Sequence, residues 1–208
     1  MVWIGRSARA KYPHLSAWLG TMEHMFASRR GHLGGLVVLG IDPGLTRCGY
    51  AVLQAQSAAK ISALSLGVLR TSPTSALPDR LAELHDEIAA LLREFTPDAV
   101  AVEQVFFQAN VRTAMSVGQA SGIALALAAR DGADVAQYTP SQMKNAIAGW
   151  GGANKDQVQR MVQVRLGLSV PPQPPDAADA AAIALCHIAC APFMALQNAA
   201  LQERQSAI

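Results

Sequence analysis

Cysteine is scarce in this 208-residue chain: Cys48, Cys186 and Cys190 are an odd number and contain no C-x-x-C pair. That excludes a disulfide framework and suits reduced thiols in a cytosolic protein. Cys186, His187 and Cys190 do not read as a soft-metal site either, since consecutive residues point to different helix faces and a fourth ligand is missing. Net charge is also nearly lacking, at +2. The excess is local: residues 1–35 carry Arg6, Arg9, Lys11, Arg29 and Arg30 against Glu23, and the remainder has 12 bases against 14 acids. Bulk charge therefore announces no nucleic-acid partner, and any basic footprint must be local. No long apolar run is present. The best candidate, Ala180 to Leu196, is mostly alanine and interrupted by His187 and Pro192, so no membrane span is expected. The first 35 residues lack the apolar core and cleavage pattern of a secretory signal. They read as a flexible basic extension, or as an upstream start whose natural beginning is nearer Met22 or Met25. There is no internal repeat.

What is present is enough apolar sequence, about half the residues, for one sizeable core and little room for two. The run 36–42 is bounded by Gly and Pro, as a strand buried on both faces would be, and strand-like segments follow at 47–55 and 60–71. Leu77, Leu81, Leu84, Ile88, Leu91 and Phe95 then recur every three or four residues, predicting an amphipathic helix. A short strand at 98–102, a helix from Val111 to Arg130, a strand at 134–138 and helices at 140–148 and 154–168 come next. The tract PPQPP forces an extended link to a last helix opening at DAADAAAIALCHIA. Three strands joined by short turns suggest an antiparallel meander, and the later strands, each behind a helix, suggest parallel crossovers. The expected fold is α/β, a five-stranded mixed sheet flanked by helices.

The first and fourth strands can then lie side by side and parallel, which makes neighbours of Asp42 and Glu103 at their carboxyl ends, where open α/β sheets place ligands. Asp176 and Asp179, at i and i+3, share a face of the last helix's first turn. Taken singly, Asp42 reads equally as a turn residue before Pro43, and the helix pair as an N-cap and an N3 acid. Together they lack a common structural reason. Gathered within about 4–6 Å, each pair of charges repels by roughly 4 kcal/mol at an effective dielectric of 20, so the cluster calls for cations. Hard oxygen donors select Mg²⁺ or Mn²⁺, and two such ions form the clamp used for in-line displacement at phosphorus.

The blocks GIDPGLTRCGYAV, VEQVF, Lys144 with the Gly-rich loop and Lys155, and DAADA resemble, in this order, the RuvC family of Holliday junction resolvases. The resemblance covers residues 36–192, leaving 1–35 as an extension and 193–208 as a tail. It implies a ribonuclease H-like fold and places the family's metal-binding catalytic acids on Asp42, Glu103, Asp176 and Asp179. The activity implied is Mg²⁺-dependent hydrolysis, with two ions per subunit and Mn²⁺ able to substitute. It cuts two strands of four-way junction DNA in recombination and repair, leaving 5′-phosphate and 3′-hydroxyl ends. By the same resemblance Lys144 and Lys155 serve near the scissile phosphate or contact DNA, the alternative being solvated lysines. Phe106 matches an aromatic inserted against bases at the junction centre, although both it and Phe107 also read as core. Arg112, Arg160 and Arg165 are phosphate contacts or ordinary surface arginines.

Two matched cuts in a two-fold junction imply a homodimer. Ala114, Gly118 and Gly122, four apart on one helix face, suit either its contact or packing on the sheet. The implied partners are RuvA and RuvB, and the implied location is the cytoplasm. The family usually starts close to its first strand, so the extra residues here are a departure; the tail after Pro192 holds a single base, Arg204, and argues against a basic grip on DNA. Two other classes share parts of the pattern. An actin-like ATPase or sugar kinase has the same D-x-G-x-T turn, met by Asp42, Gly44 and Thr46, but needs a second domain for which the chain leaves no space. A junction-binding protein that has lost hydrolysis would not need all the acids.

Overall fold

Each apolar run finds the neighbours that its pattern requires. The computed structural model describes residues 26, 28, 30–104 and 111–206. In chain order the elements are β1 (Leu36–Asp42), β2 (Arg47–Ser57), β3 (Lys60–Arg70), α1 (Leu77–Phe95), β4 (Ala99–Glu103), α2 (Val111–Asp131), β5 (Asp134–Tyr138), α3 (Pro140–Ala148), α4 (Lys155–Arg165) and α5 (Pro175–Ser206). The sheet has five strands in the order β3-β2-β1-β4-β5. β1 pairs antiparallel with β2 and β2 with β3, while β1–β4 and β4–β5 are parallel. The expected meander and crossovers are both present, and β1 lies against β4.

Strand side chains alternate between two faces. Val37, Leu39, Ile41, Val100 and Val102 pack with Leu84, Ile88, Leu91 and Leu92 of α1 and Ala120, Ala124 and Ala128 of α2. Val38, Ala99, Ala101, Ala51 and Leu53 form the other face, covered by α5. α3 and α4 add Met143, Ile147, Val158 and Val162 to that second core, outside α5. α5 is therefore enclosed between sheet and helices, which is why Ala177, Ala178 and Ala180 through Leu185 are all buried, with Asp179 the one polar, partly exposed residue in that stretch.

The alanines permit a close approach that two strand glycines complete. A Cβ at Gly40 would overlap the Ala180 carbonyl oxygen, and one at Gly49 the Asp176 carbonyl oxygen. Any larger residue at either position would lift the helix from the sheet. The far half of α5 is tied by a buried bond of 3.0 Å between the Tyr138 hydroxyl and His187 Nδ1. Burial lowers the His187 pKa to about 4, so its imidazole is neutral. Cys48 and Cys186 are buried, and burial pushes both thiols up to about 12, in keeping with unreactive packing residues.

Two boundaries differ from expectation. The last described residues before β1 are docked rather than loose. Phe26 is buried in the α5-side core. Ser28 Oγ donates to Asp98 Oδ1 at 2.8 Å and the Arg30 amide to the same oxygen at 3.0 Å, while the Val37 amide takes Oδ2 at 2.8 Å. Arg30 also pairs with Asp131 at 2.6 Å. A buried carboxylate so fully hydrogen-bonded clamps this segment beneath the amino ends of β1 and β4. At the other end, α5 continues through Pro192 to Ser206, so the backbone has no break at the expected boundary of 192. No helix among the described residues is long and apolar enough to cross a membrane.

Candidate active site

The register and pleat bring the two strand-end acids together. Ile41 pairs with Val102 in the parallel β1–β4 ladder, so Asp42 and Glu103 are the next residues on each strand. Both share the parity of Gly40 and Ala101, and both therefore project toward α5. A side-chain hydrogen bond links the two carboxyls. Burial, then the Glu103 and Asp179 charges, raise the Asp42 pKa to about 8. Burial also raises Glu103. The Asp42 carboxyl thus keeps its proton at neutral pH when no cation is bound.

The helix-borne acids arrive from above, through the contact at Gly49. Asp179 lines the same cleft as Asp42 and Glu103, a cavity of about 260 Å³ that Lys144, Lys155, Met143, Val158 and Ile183 also line. Asp176 stands at its edge, close enough for its charge to act on Asp42. Neither serves as a simple helix cap. Asp179 Oδ2 accepts from Lys155 Nζ at 2.6 Å. Asp176 Oδ2 accepts from Arg47 Nε at 3.1 Å and from the same guanidinium's Nη2. The Arg47 hydrogen bond holds the Asp176 carboxyl below the usual carboxylate range. Each helix acid is therefore paired with one cation, and the proton retained on Asp42 relieves the repulsion between the two strand acids.

Of the expected site residues, Asp42, Glu103, Asp179, Lys144 and Lys155 share one cleft, with Asp176 adjoining. Phe106 and Phe107 lie outside the described residues, and Arg112 is described only as a backbone position in the first turn of α2. Arg160 and Arg165 belong to α4 and are absent from the cleft lining. Arg47 is the addition that sequence reasoning missed. Its partner is 129 positions away, and only the place of residue 47 on the same strand face as Gly49 hints at the meeting.

An oxygen-donor cleft at the carboxyl ends of adjacent parallel strands, on a mixed sheet with helices on both faces, defines an α/β domain of the ribonuclease H-like fold. A family model described as crossover junction endodeoxyribonuclease RuvC matches residues 38–187. The RuvC of Salinispora arenicola is 50% identical over 151 residues, covering 73% of this chain and 86% of that relative. The solved structure of Thermus thermophilus RuvC in complex with Holliday junction substrate aligns with a TM-score of 0.73 at 41% identity, covering 76% of this chain and 96% of that one. The yeast mitochondrial Holliday junction resolvase Ydc2, 16% identical with a TM-score of 0.58 over 79% of this chain and 83% of its own, shares the fold. The chain belongs to the RuvC family of crossover junction endodeoxyribonucleases.

Proposed function

We propose that this protein resolves four-way DNA junctions by Mg²⁺-dependent hydrolysis, cutting two symmetric strands as a homodimer. The observation that carries the reading is the juxtaposition of Asp42, Glu103 and Asp179 in one cleft, with Asp42 too buried to ionise freely without a cation. The donor set is all carboxylate oxygen, which fits Mg²⁺ or Mn²⁺ and not a thiophilic metal. Asp42, Glu103, Asp176 and Asp179 are the proposed ligands, for two ions per subunit. Bound divalent cations supply Lewis acidity and make water a stronger nucleophile at neutral pH.

The chain's own groups do the rest. Asp42 and Glu103, projecting from the rigid strand ends, fix the floor of the cleft. Lys155 and Lys144 line its wall, where cationic groups suit a phosphodiester and the charge that develops on its oxygens during displacement. Arg47 orients Asp176 through its guanidinium. Hydrolysis breaks the bond from phosphorus to the 3′-oxygen, leaving a 5′-phosphate and a 3′-hydroxyl. The nuclease domain spans residues 36–192, with Phe26, Ser28 and Arg30 docked as its foot. RuvA and RuvB are the proposed partners by family, and the cytoplasm, where thiols stay reduced, the proposed location.

The dimer reading draws on α2. Ala120, Ala124 and Ala128 are its sheet-side stripe, whereas a Cβ at Gly118 or Gly122 would meet nothing within 4 Å. Gly122 lines an apolar groove of about 670 Å³ between α1 and α2, with Leu81, Ile123, Ala126 and Leu127 among its other walls. A close-approach face of this kind fits a second copy of the same helix.

The test is a labelled mobile four-way junction incubated with and without Mg²⁺, both cuts being mapped. Paired symmetric cuts that need the metal are expected. Asp42→Asn should retain junction binding and lose cleavage by at least a hundredfold; a variant that cuts at the wild-type rate would show the catalytic assignment to be mistaken.

A further inference from the structure

The loop joining α3 to α4 carries Trp150, a feature that neither the acids nor the lysines explain. Trp150 is 55% exposed, and of the aromatic residues whose exposure is described it is the one that stands in solvent; Phe26 and Tyr138 are buried, and Tyr50 and Phe95 half-buried. Its neighbours along the chain are built to hold it there. Gly149 caps α3 with φ of 82°, its amide bonded to the Asn145 carbonyl at 3.0 Å. A Cβ on Gly151 would meet Ser141 Oγ at 2.9 Å, so the loop lies tight on α3. A Cβ on Gly152 would run into the six-membered ring of the Trp150 indole, so glycine at that position lets the indole rest against the backbone. The Ala153 amide then turns back to the Trp150 carbonyl, Ala153 itself is fully buried, and Asn154 opens α4 with a capping box to Gln157. The indole thus lies against the backbone at Gly152 while the residue remains 55% exposed.

Its position matters as much as its exposure. The loop begins one residue after α3, which carries Lys144, and ends at Lys155, the first residue of α4; both lysines line the acid cleft. The turn from Trp150 to Ala153, followed by two residues to Lys155, puts the Trp150 and Lys155 Cα atoms within about 15 Å of one another. That separation is on the order of two nucleotide steps along a strand whose phosphate lies against Lys155 and Lys144. Every base has a π-face, and an indole with two side-chain torsions offers stacking area at low entropic cost.

We propose that Trp150 is a base-stacking platform that holds a nucleotide flanking the scissile phosphate, fixing the strand in the cleft. The inference rests on the nuclease reading above and adds a binding residue to it. It assigns no chemistry to the indole, which acts through the position of the strand.

The experiment uses the full chain, with Asp42→Asn as background for binding and the wild-type background for cleavage. Trp150→Ala is expected to weaken binding of a labelled four-way junction, or to lower kcat/KM for its cleavage, by about five- to 150-fold. Trp150→Tyr should restore most of the loss and Trp150→Leu little of it, because stacking needs an aromatic face. With Trp3 and Trp18 changed to Phe, Trp150 is the chain's one tryptophan, and its fluorescence should be quenched on adding junction. Unchanged binding and cleavage in Trp150→Ala, full rescue by leucine, or no change in fluorescence at saturating junction would each overturn the proposal. Failure of the Asp42→Asn protein with Trp150 intact to bind either junction or duplex would instead overturn the nuclease reading, and this inference with it.

Discussion

At the scale of the residue, Asp42 is the point of tension. Its carboxyl keeps its proton to about pH 8 in the absence of metal, whereas in an unfolded chain it titrates near 3.9. Below about pH 4 both states are protonated and nothing is lost. As pH rises toward 8 only the unfolded chain releases the proton, so Asp42 lowers stability progressively through that window. Glu103, raised by burial, acts in the same sense. Asp176, lowered by Arg47, acts oppositely, its contribution being lost only as pH falls below the ordinary carboxylate range. In EDTA the wild-type Tm should therefore fall between pH 5 and pH 8 more steeply than that of Asp42→Asn. Mn²⁺ should raise the wild-type Tm more at pH 8 than at pH 5.5, since metal and proton compete for the same oxygens. Equal slopes for the two proteins would contradict this account.

At the scale of the element, α5 determines whether the acids meet. Its first turns rest on Gly40 and Gly49, and Asp176 and Asp179 hang from that contact. Gly49→Ala puts a methyl into the Asp176 carbonyl. It should cost about 1–3 kcal/mol of stability by overpacking and lower cleavage by more than its effect on Tm accounts for. Glu83→Ala is the control: it is exposed on α1 and lines neither the cleft nor the groove, so stability should stay within about 0.5 kcal/mol and cleavage should not change. Denaturation midpoints and cleavage rates for the pair separate the two effects. The element pattern itself was open to sequence reasoning, because period-two and period-3.6 stripes are local properties. The match extends to strand ends within a few residues. The exception is α5, whose passage through Pro192 contradicts the local rule: proline removes one amide donor, yet the backbone keeps its helical course beyond it.

At the scale of the whole molecule, two surfaces have different work. The carboxyl ends of β1 and β4 form the acid cleft, and the outward face of α2 leaves Gly118 and Gly122 uncovered. Gly122→Glu adds a charge to that open face, where a Cβ meets nothing within 4 Å. It is expected to shift the protein from dimer to monomer in sedimentation velocity at micromolar concentration, with the far-ultraviolet circular dichroism unchanged. Paired cuts should give way to single nicks. A variant that still sediments as a dimer would place the contact elsewhere. Phe26, Ser28 and Arg30 belong to this scale too: Phe26 is buried in the core, and Ser28 and Arg30 bond Asp98 at the end of the sheet opposite the cleft.

The sequence by itself determined the strands and helices, their order, and the identity of the acids, because an acid at the end of an apolar run is legible in a few consecutive residues. It also carried the expectation that the first and fourth strands are neighbours, from the logic of the connections. Only the tertiary structure decided that Asp42 and Glu103 project to the same face, which depends on a register between separate strands. It also decided that Arg47 reaches Asp176 and Lys155 reaches Asp179, and that Phe26 is buried. Those are pairings over long separations, set by how closely α5 can approach two glycines and by what Asp98 can bond, and no local pattern in the chain encodes them.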